Sequence, residues 1–283
     1  MKGKKWLLGI IPIYLFVLFT TNSLVGCSKT DTVHDTTVKI VRDTTLETTY
    51  VHPPLDTVIM HINDSLWAYF PLNTTLADSS GHNHVLSLFG GAGFTDDMFG
   101  RPSSALNFNG STAYGSIPDD SRFRPDSFSV SLFVMPRATS GLFLGKQDYA
   151  TANGATFNVG FDNVNYGSFA RFSVTNFQSS ICSQAPNGAH VSQDSLDIFK
   201  TYDWYHIVIT YAKNQMKFYV NDRLVSSQNI SESVNDCQNA QFILGNWWAG
   251  GTNAFDGKID NIRIYTRAIS HAEIDYLFDQ FNR

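Results

Sequence analysis

The sequence predicts an all-β protein, a two-sheet antiparallel sandwich that ends in one short helix. Apolar and polar residues alternate in short runs from residue 66 onward. Gly, Asn, Asp and Ser separate these runs, and one stretch near the end of the chain has the period of a helix. A period of two residues indicates strands with one buried face, and many such strands indicate a sandwich.

The chain begins with the features of a bacterial secretory signal. Lysines precede a long apolar stretch, which ends in the run Leu24-Val25-Gly26-Cys27. This order is typical of exported proteins, and the run resembles a bacterial lipobox, in which the cysteine is acylated and the preceding peptide is removed. It predicts that residues 1–26 are a lipoprotein signal peptide and that lipid on Cys27 anchors the protein. The alternative is a plain transmembrane anchor, although no basic stop-transfer flank follows.

The predicted partners include a membrane, reached through the lipid, and exclude nucleic acid. The resemblance implies the cell envelope, and the outer membrane of a Gram-negative bacterium, on either its periplasmic or its surface face. The chain has 20 Lys and Arg against 25 Asp and Glu, a net charge of −5. Removing residues 1–26 takes away three lysines and no acids, which leaves −8. Nucleic-acid binding needs clustered Lys and Arg instead.

Residues 27–63 are predicted to form an extended linker rich in Thr and Asp. Thr and Val favour extended backbone and the acids repel one another, so the segment should be stretched but not packed. Asp-Thr-apolar triplets recur in it and resemble the O-glycosylation acceptor sites of some Gram-negative bacteria. A solvated spacer without sugars is the alternative interpretation. The threonines concerned are Thr32, Thr36, Thr44 and Thr57.

Three later segments predict local structure directly. One face of a strand is predicted for Phe128, Val130, Leu132 and Val134, and the opposite face begins with Ser127, Ser129 and Ser131. Asn221 and Asp222 separate two further strands and tolerate positive φ, which predicts a two-residue hairpin turn. Ser270 and Glu273 form a capping box, and the apolar stripe that follows them predicts a helix docked on the sandwich.

The order of segments from Leu66 onward resembles that of laminin-G-like, concanavalin A-like jelly-roll domains of bacteria, which are related in fold to pentraxins. The resemblance implies that residues 64–283 form one jelly-roll domain. Lectins, adhesion modules and glycosidases share this fold, so the site residues must decide the function. The segments that carry the resemblance are Leu66–Asn73, Ala77–His84, Ala105–Ser111, Phe128–Val134, Trp204–Val208, Phe218–Asp222 and Phe255–Tyr265.

The carboxylate pattern argues against a glycosidase. Retaining glycosidases need two carboxylates about 5–5.5 Å apart, and the glucanases of this fold carry them on one strand as Glu-x-Asp-x-(x)-Glu. The chain has three glutamates, Glu47, Glu232 and Glu273, and no predicted strand holds two of them. We therefore expect a protein without catalytic residues, and keep a glycoside hydrolase or lyase with an unrecognised site as the alternative.

The resemblance also implies a structural calcium ion. Asp78 and Asp260 occupy positions that often hold Ca²⁺ in domains of this kind, and Asn83 could add an amide oxygen. Calcium prefers such oxygen ligands. The alternative is that Asp78 caps a turn and Asp260 accepts hydrogen bonds from backbone amides.

Sugar binding requires exposed aromatic rings beside planar polar groups. Trp247 and Trp248 lie in a loop flanked by glycines, next to Asn246, and predict such a platform. Gln147 and Tyr149 form a second candidate of the same kind. The alternative is that one tryptophan plugs the end of the sandwich.

Two cysteines remain beside the lipidated one, Cys182 and Cys237. An even number in an exported protein predicts a disulfide between them, with two free thiols as the alternative. Together these features predict a lipid-anchored envelope protein that binds a glycan or a surface protein without catalysis. A purely structural surface lipoprotein is a further alternative.

Overall fold

The structure is a computed structural model, and it divides into two compact units, residues 1–50 and 51–283. Strands β1 (Thr36–Arg42) and β2 (Thr45–Val51) pair in a two-stranded sheet. The predicted linker is extended in these two strands, but the strands pair with each other, whereas an unpacked segment was expected. The structure describes residues 36–42, 45–51, 61–123, 126–148, 154–162, 169–175, 189–193, 199–230, 234, 237, 240–247 and 253–280.

The second unit is built from two antiparallel sheets and one helix, as predicted. The seven-stranded sheet has the order β12-β11-β10-β9-β16-β7-β4. The eight-stranded sheet has the order β15-β14-β13-β8-β17-β6-β5, with β3 also paired to β17. The strands are β3 (Leu66–Phe70), β4 (Ser87–Phe89), β5 (Gly93–Thr95), β6 (Ala105–Asn109), β7 (Tyr114–Ile117), β8 (Ser127–Pro136), β9 (Gly141–Asp148), β10 (Gly154–Asp162), β11 (Phe169–Thr175), β12 (Ala189–Gln193), β13 (Tyr205–Ala212), β14 (Gln215–Val220), β15 (Arg223–Asn229), β16 (Gln241–Leu244) and β17 (Asp256–Tyr265).

The core between the sheets is rich in aromatic side chains. Phe128 of β8 stacks on Phe157 of β10 with ring centroids 4.8 Å apart, and Phe242 of β16 lies 4.6 Å from Trp67. Fully burying one such side chain stabilises the fold by roughly 1.5–3 kcal/mol. The predicted alternation along β8 is confirmed, since Phe128, Val130, Leu132 and Val134 all belong to this core.

Helix α1 (His271–Asp279) covers part of the outer face of the eight-stranded sheet, the face directed away from the other sheet. The predicted capping box is present: the Ser270 side chain accepts from the Glu273 amide, and Glu273 accepts from the Ser270 amide at 2.7 Å. Ile274 and Leu277 of α1 pack against Tyr265 at the end of β17. No helix in the described ranges is both long and apolar enough to cross a membrane.

Strand β17 contains a β-bulge beside a cavity on the outer face of the eight-stranded sheet. Its register with β8 shifts between Asp260 and Arg263, and Asn261 adopts a φ of +51°. Bulges redirect side chains and often occur beside functional sites. Ile259 and Ile262 both remain in the core on either side of the bulge. Asp260 and Asn261, which lie between the two isoleucines, line a cavity on the outer face together with Arg263.

Candidate functional site

The outer face of the eight-stranded sheet carries two cavities that adjoin at Phe99. We call the first, about 370 Å³, the polar pocket, and the second, about 290 Å³, the aromatic chamber. Both are near the lower end of the size range of small-molecule sites. The polar pocket is lined by Tyr69, Pro71, Asn73, Phe99, Arg101, Asp260, Asn261, Arg263 and Gln280. The aromatic chamber is lined by Met98, Phe99, Phe133, Trp204, His206, Asn221 and Phe278.

One row of paired residues crosses the sheet beneath both cavities. Asp260 of β17 pairs with Phe133 of β8, and Phe133 pairs with His206 of β13. Paired residues of adjacent antiparallel strands have their side chains on the same face. Adjacent strands lie about 4.8 Å apart, so the backbones of Asp260 and His206 are separated by about 10 Å. The two cavities are therefore parts of one surface.

Asp260 is the central polar group of the first cavity. It is only 2% exposed, and its Oδ1 has no hydrogen-bond partner among the described residues. Burial raises the pKa of Asp260 to about 7, an increase that the Asn261 amide reduces and the charge of Asp97 adds to. A buried carboxyl oxygen without a donor is costly to maintain. It is therefore available to a donor that a ligand brings.

Asp97 organises the turn that separates the two cavities. Its Oδ1 accepts from the backbone amides of Phe99 and Arg101, both at 2.9 Å, and its Oδ2 accepts from the Arg101 side chain. These bonds fix a turn in which Phe99 stays 48% exposed. The Arg101 guanidinium lies 5.0 Å from the centre of the Phe99 ring. The turn thus presents an aromatic ring and a cation at the junction of the cavities.

Arg263 and Tyr69 form the opposite wall of the polar pocket. The Arg263 guanidinium lies 3.9 Å from the centre of the Tyr69 ring, a cation–π contact. Arg263 also donates to the Asn261 side-chain oxygen. The pocket therefore combines a carboxyl acceptor, amide groups, guanidinium donors and aromatic surface. Such a set can bind a polyhydroxylated ligand by hydrogen bonds and by contact with its apolar face.

His206 is the buried polar group of the aromatic chamber. It is 1% exposed, and its Nε2 lies 2.8 Å from Ser131 Oγ. Its ring stacks on Phe133 with centroids 4.5 Å apart, and its Nδ1 has no partner in the part of the chain that is described. Burial lowers the pKa of His206 to about 3, so the ring is neutral at physiological pH. Asn221 beside it has the positive φ predicted for the hairpin turn.

The structure gives the predicted calcium ligands Asp78 and Asp260 different surroundings. Asp78 accepts five hydrogen bonds, from the Tyr69 amide and from the amides and side chains of Ser80 and His84. Burial alone would raise its pKa, but these bonds lower the pKa of Asp78 to about 2. Within the described ranges, no three His, Cys, Asp or Glu side chains are grouped as a metal site.

Asp78 and Asp260 differ in how many of their carboxylate oxygens are available to a metal ion. Both oxygens of Asp78 are engaged by donors from the chain, an arrangement that fits the turn-capping alternative better than a calcium ligand. Asn83 is exposed and has a φ of +61°. Asp260 keeps one oxygen open, so this carboxyl group fits a cation better. The calcium site stays a prediction, and the Asp260 side is the part of it that the geometry favours.

The predicted sugar platforms lie at opposite ends of β16. Gln147 pairs with Gln241 at the start of the strand, whereas the Gly245 amide, just after its end, donates to Phe143. The four residues between span about 13 Å. Asn246 is fully buried, and its side-chain oxygen accepts from the Trp247 amide at 2.8 Å. Gln147 is also buried, so only the half-buried Trp247 offers surface among the described members of the two candidates.

Several predicted positions lie outside the described residues, and the predictions about them stay open. They include Cys27, Cys182, Trp248 and Tyr149, together with Thr32, Thr44 and Thr57. Thr36 is the first residue of β1, where the backbone alone is described. Cys237 is fully buried. Because Cys182 lies outside the described residues, its disulfide with Cys237 remains a prediction.

Three solved structures share the fold of this chain. Domain 4 of AbnA, a GH43 extracellular arabinanase from Geobacillus stearothermophilus, in complex with arabinotriose, has a TM-score of 0.55 and 23% identity, with 75% of this chain and 98% of that chain covered. The binding domain of Paraclostridial Mosquitocidal Protein 1 has a TM-score of 0.59 and 18% identity, with 78% and 53% covered. The binding domain of Botulinum Neurotoxin DC in complex with SialylT has a TM-score of 0.58 and 17% identity, with 77% and 51% covered.

The chain spans about half the length of the two toxin domains and nearly all of the arabinanase domain. At these identities the likeness shows the fold alone. No curated protein sequence matches the chain. A family profile described as concanavalin A-like lectin/glucanases superfamily, of the Laminin_G_3 type, matches residues 109–275. This match covers more than half of the 283 residues, so the chain belongs to the concanavalin A-like lectin/glucanases superfamily.

Proposed function

We propose that the protein is a lipid-anchored envelope protein that binds a glycan, without catalysis, in the polar pocket. The observation that carries the proposal is the open Oδ1 of the buried Asp260. A sugar hydroxyl is a neutral donor that can supply the missing hydrogen bond. Asn261 and Arg263 offer further polar groups around the same cavity.

Two further observations support a sugar over a charged small molecule. The pocket holds both signs of charge, because Arg101 and Arg263 stand beside Asp97 and Asp260. Such a balance favours a neutral polar ligand. The rings of Tyr69 and Phe99 offer apolar surface to the C–H face of a sugar. That the similar arabinanase domain was solved with arabinotriose is consistent with glycan binding on this fold.

Replacing Asp260 by alanine should separate binding from stability. We expect the dissociation constant for a glycan found on an array to rise at least tenfold, about 1.4 kcal/mol, because the acceptor for the sugar hydroxyl is lost. We expect the melting temperature to hold or rise, because an unsatisfied buried carboxyl group is removed. Titration calorimetry and thermal unfolding of the full-length protein in detergent would measure both.

The matched control is Asp96→Ala, which removes an exposed carboxylate next to Asp97 in the chain. Unchanged glycan affinity in Asp260→Ala would contradict the proposal. Repeating the titration with EDTA tests the calcium prediction: if EDTA abolishes binding and calcium restores it, Asp260 holds the cation and the sugar binds through it. Release of shorter sugars from a bound glycan would favour the hydrolase alternative instead.

The anchoring half of the proposal rests on Cys27 and its lipobox-like context. We expect Cys27→Ser to release the protein from the membrane fraction or to leave it unprocessed, because the thiol that accepts the lipid is gone. Ultracentrifugation and mass spectrometry of the N-terminus would measure this. Ser28→Ala, next to the cleavage point, is the control and should stay anchored. Processed protein that still sediments with membranes after Cys27→Ser would contradict the lipid anchor.

A further inference from the structure

We infer that the aromatic chamber is a second sugar subsite, and that the ligand is an oligosaccharide that crosses Phe99 from one cavity to the other. The inference rests on the proposed glycan binding in the polar pocket. It adds a substrate class, a chain of at least two sugar units, and assigns Trp204 as the residue that holds the second unit.

The chemistry of the chamber fits a sugar ring better than a purely apolar group. Trp204 and Phe278 are half-buried and offer ring surface to the cavity. Stacking on aromatic rings accommodates the C–H face of a sugar. The Nδ1 of His206 lacks a partner among the described residues although the ring is almost fully buried. An apolar ligand would leave this nitrogen unsatisfied, whereas a hydroxyl can satisfy it.

The geometry of the sheet places the second subsite where the next unit of a chain would lie. Asp260 and His206 flank Phe133 in one row, so their backbones are about 10 Å apart. This separation suits two or three linked sugar units and is too long for one. Phe99 lines both cavities and is 48% exposed, so it lies on the path between them.

Trp204→Ala tests the inference through the dependence of affinity on chain length. The probes are arabinose, arabinobiose and arabinotriose, with glucose, cellobiose and cellotriose as a second series, titrated against the full-length protein in detergent. We expect the unchanged protein to bind the trisaccharide of one series at least tenfold more tightly than the monosaccharide. Trp204→Ala should remove that gain and leave the affinity for the monosaccharide within twofold.

Two control variants make the result specific. Tyr202→Ala removes an aromatic ring that is 67% exposed, two residues from Trp204 and outside the lining of the chamber, and should change nothing. Trp204→Phe keeps a ring and should keep most of the gain. Thermal unfolding of each variant would identify a loss of folded protein. If Trp204→Ala does not fold, the affinities of Trp204→Phe are compared with those of the unchanged protein instead.

The outcomes separate this inference from the proposed function. Equal affinity of the unchanged protein for monosaccharide and trisaccharide would overturn the second subsite and leave the polar pocket intact. An equal loss for every chain length in Trp204→Ala would also overturn it, because Trp204 would then only support the pocket. Absence of binding to all six probes would contradict both the proposed function and this inference.

Discussion

Replacing Lys146 by methionine is expected to lower the free energy of unfolding by about 3–5 kcal/mol. Lys146 is fully buried, and its Nζ lies 2.9 Å from Asp119 Oδ2 and donates to Cys237 O at 2.8 Å. The same ammonium lies 5.4 Å from the centre of the Phe123 ring. Methionine fills similar space but removes the cation, which leaves the buried Asp119 carboxylate without the positive charge of Lys146. Urea unfolding of the two proteins would measure the difference.

The double variant Lys146→Met with Asp119→Asn distinguishes loss of the charge pair from loss of packing. It should be more stable than Lys146→Met alone, because the buried negative charge that faced Lys146 is removed as well. Lys217→Met, at a half-buried position of β14, is the control and should change stability by less than about 0.5 kcal/mol. A double variant no more stable than the single one would show that methionine fails to fit the site.

Asp260→Asn should remove a pH dependence of stability between about pH 4 and pH 7. Because burial raises the pKa of Asp260 to about 7, the folded protein keeps a proton that the unfolded chain, with a pKa of 3.8, has released. Stability from this group is therefore complete below pH 4 and is lost as the pH rises toward 7. A shift of this size corresponds to roughly 4 kcal/mol, so the variant should be several kcal/mol more stable than the unchanged protein at pH 8.

Urea unfolding at pH 4, 6 and 8 in EDTA would measure this difference without a contribution from calcium. At pH 4 the two proteins should be nearly equal, since a protonated aspartate and an asparagine are alike in charge and shape. Asp97, Arg101 and Arg263 face the same group and stay unchanged in the comparison. Asp96→Asn, in an exposed position, should show no such difference. A constant difference at all three pH values would contradict the raised pKa.

The parts of the fold that could be predicted from sequence are those with a local signal. The alternation along β8, the turn at Asn221 and the capping box at Ser270 each lie within a few consecutive residues, and each is confirmed. The bulge in β17 also corresponds to a local signal in the sequence. Ile259 and Ile262 are three residues apart, where an uninterrupted strand would place its buried residues two apart.

The polar pocket and the aromatic chamber could not be predicted from sequence, because the residues that line them are not close to one another in the chain. Phe99, Trp204 and Asp260 come from two loops and a strand that are distant in the chain, and only the register of the sheet brings their surroundings together. The family resemblance predicted Asp260 as a site residue, in the role of a calcium ligand. Its open oxygen depends on burial by tertiary contacts, which the sequence does not reveal.

The late position of β17 in the domain also has a consequence for how the protein folds. This strand pairs with β3, β6 and β8, and Arg267 just beyond it donates to the Asp64 carbonyl, 203 residues earlier. Contacts between such distant residues slow folding, because the intervening chain must be ordered before they form. The eight-stranded sheet cannot close until β17 has been synthesised, because this strand lies between β8 and β6. Strands β3, β6 and β8 therefore lack this neighbouring strand until most of the domain has been made.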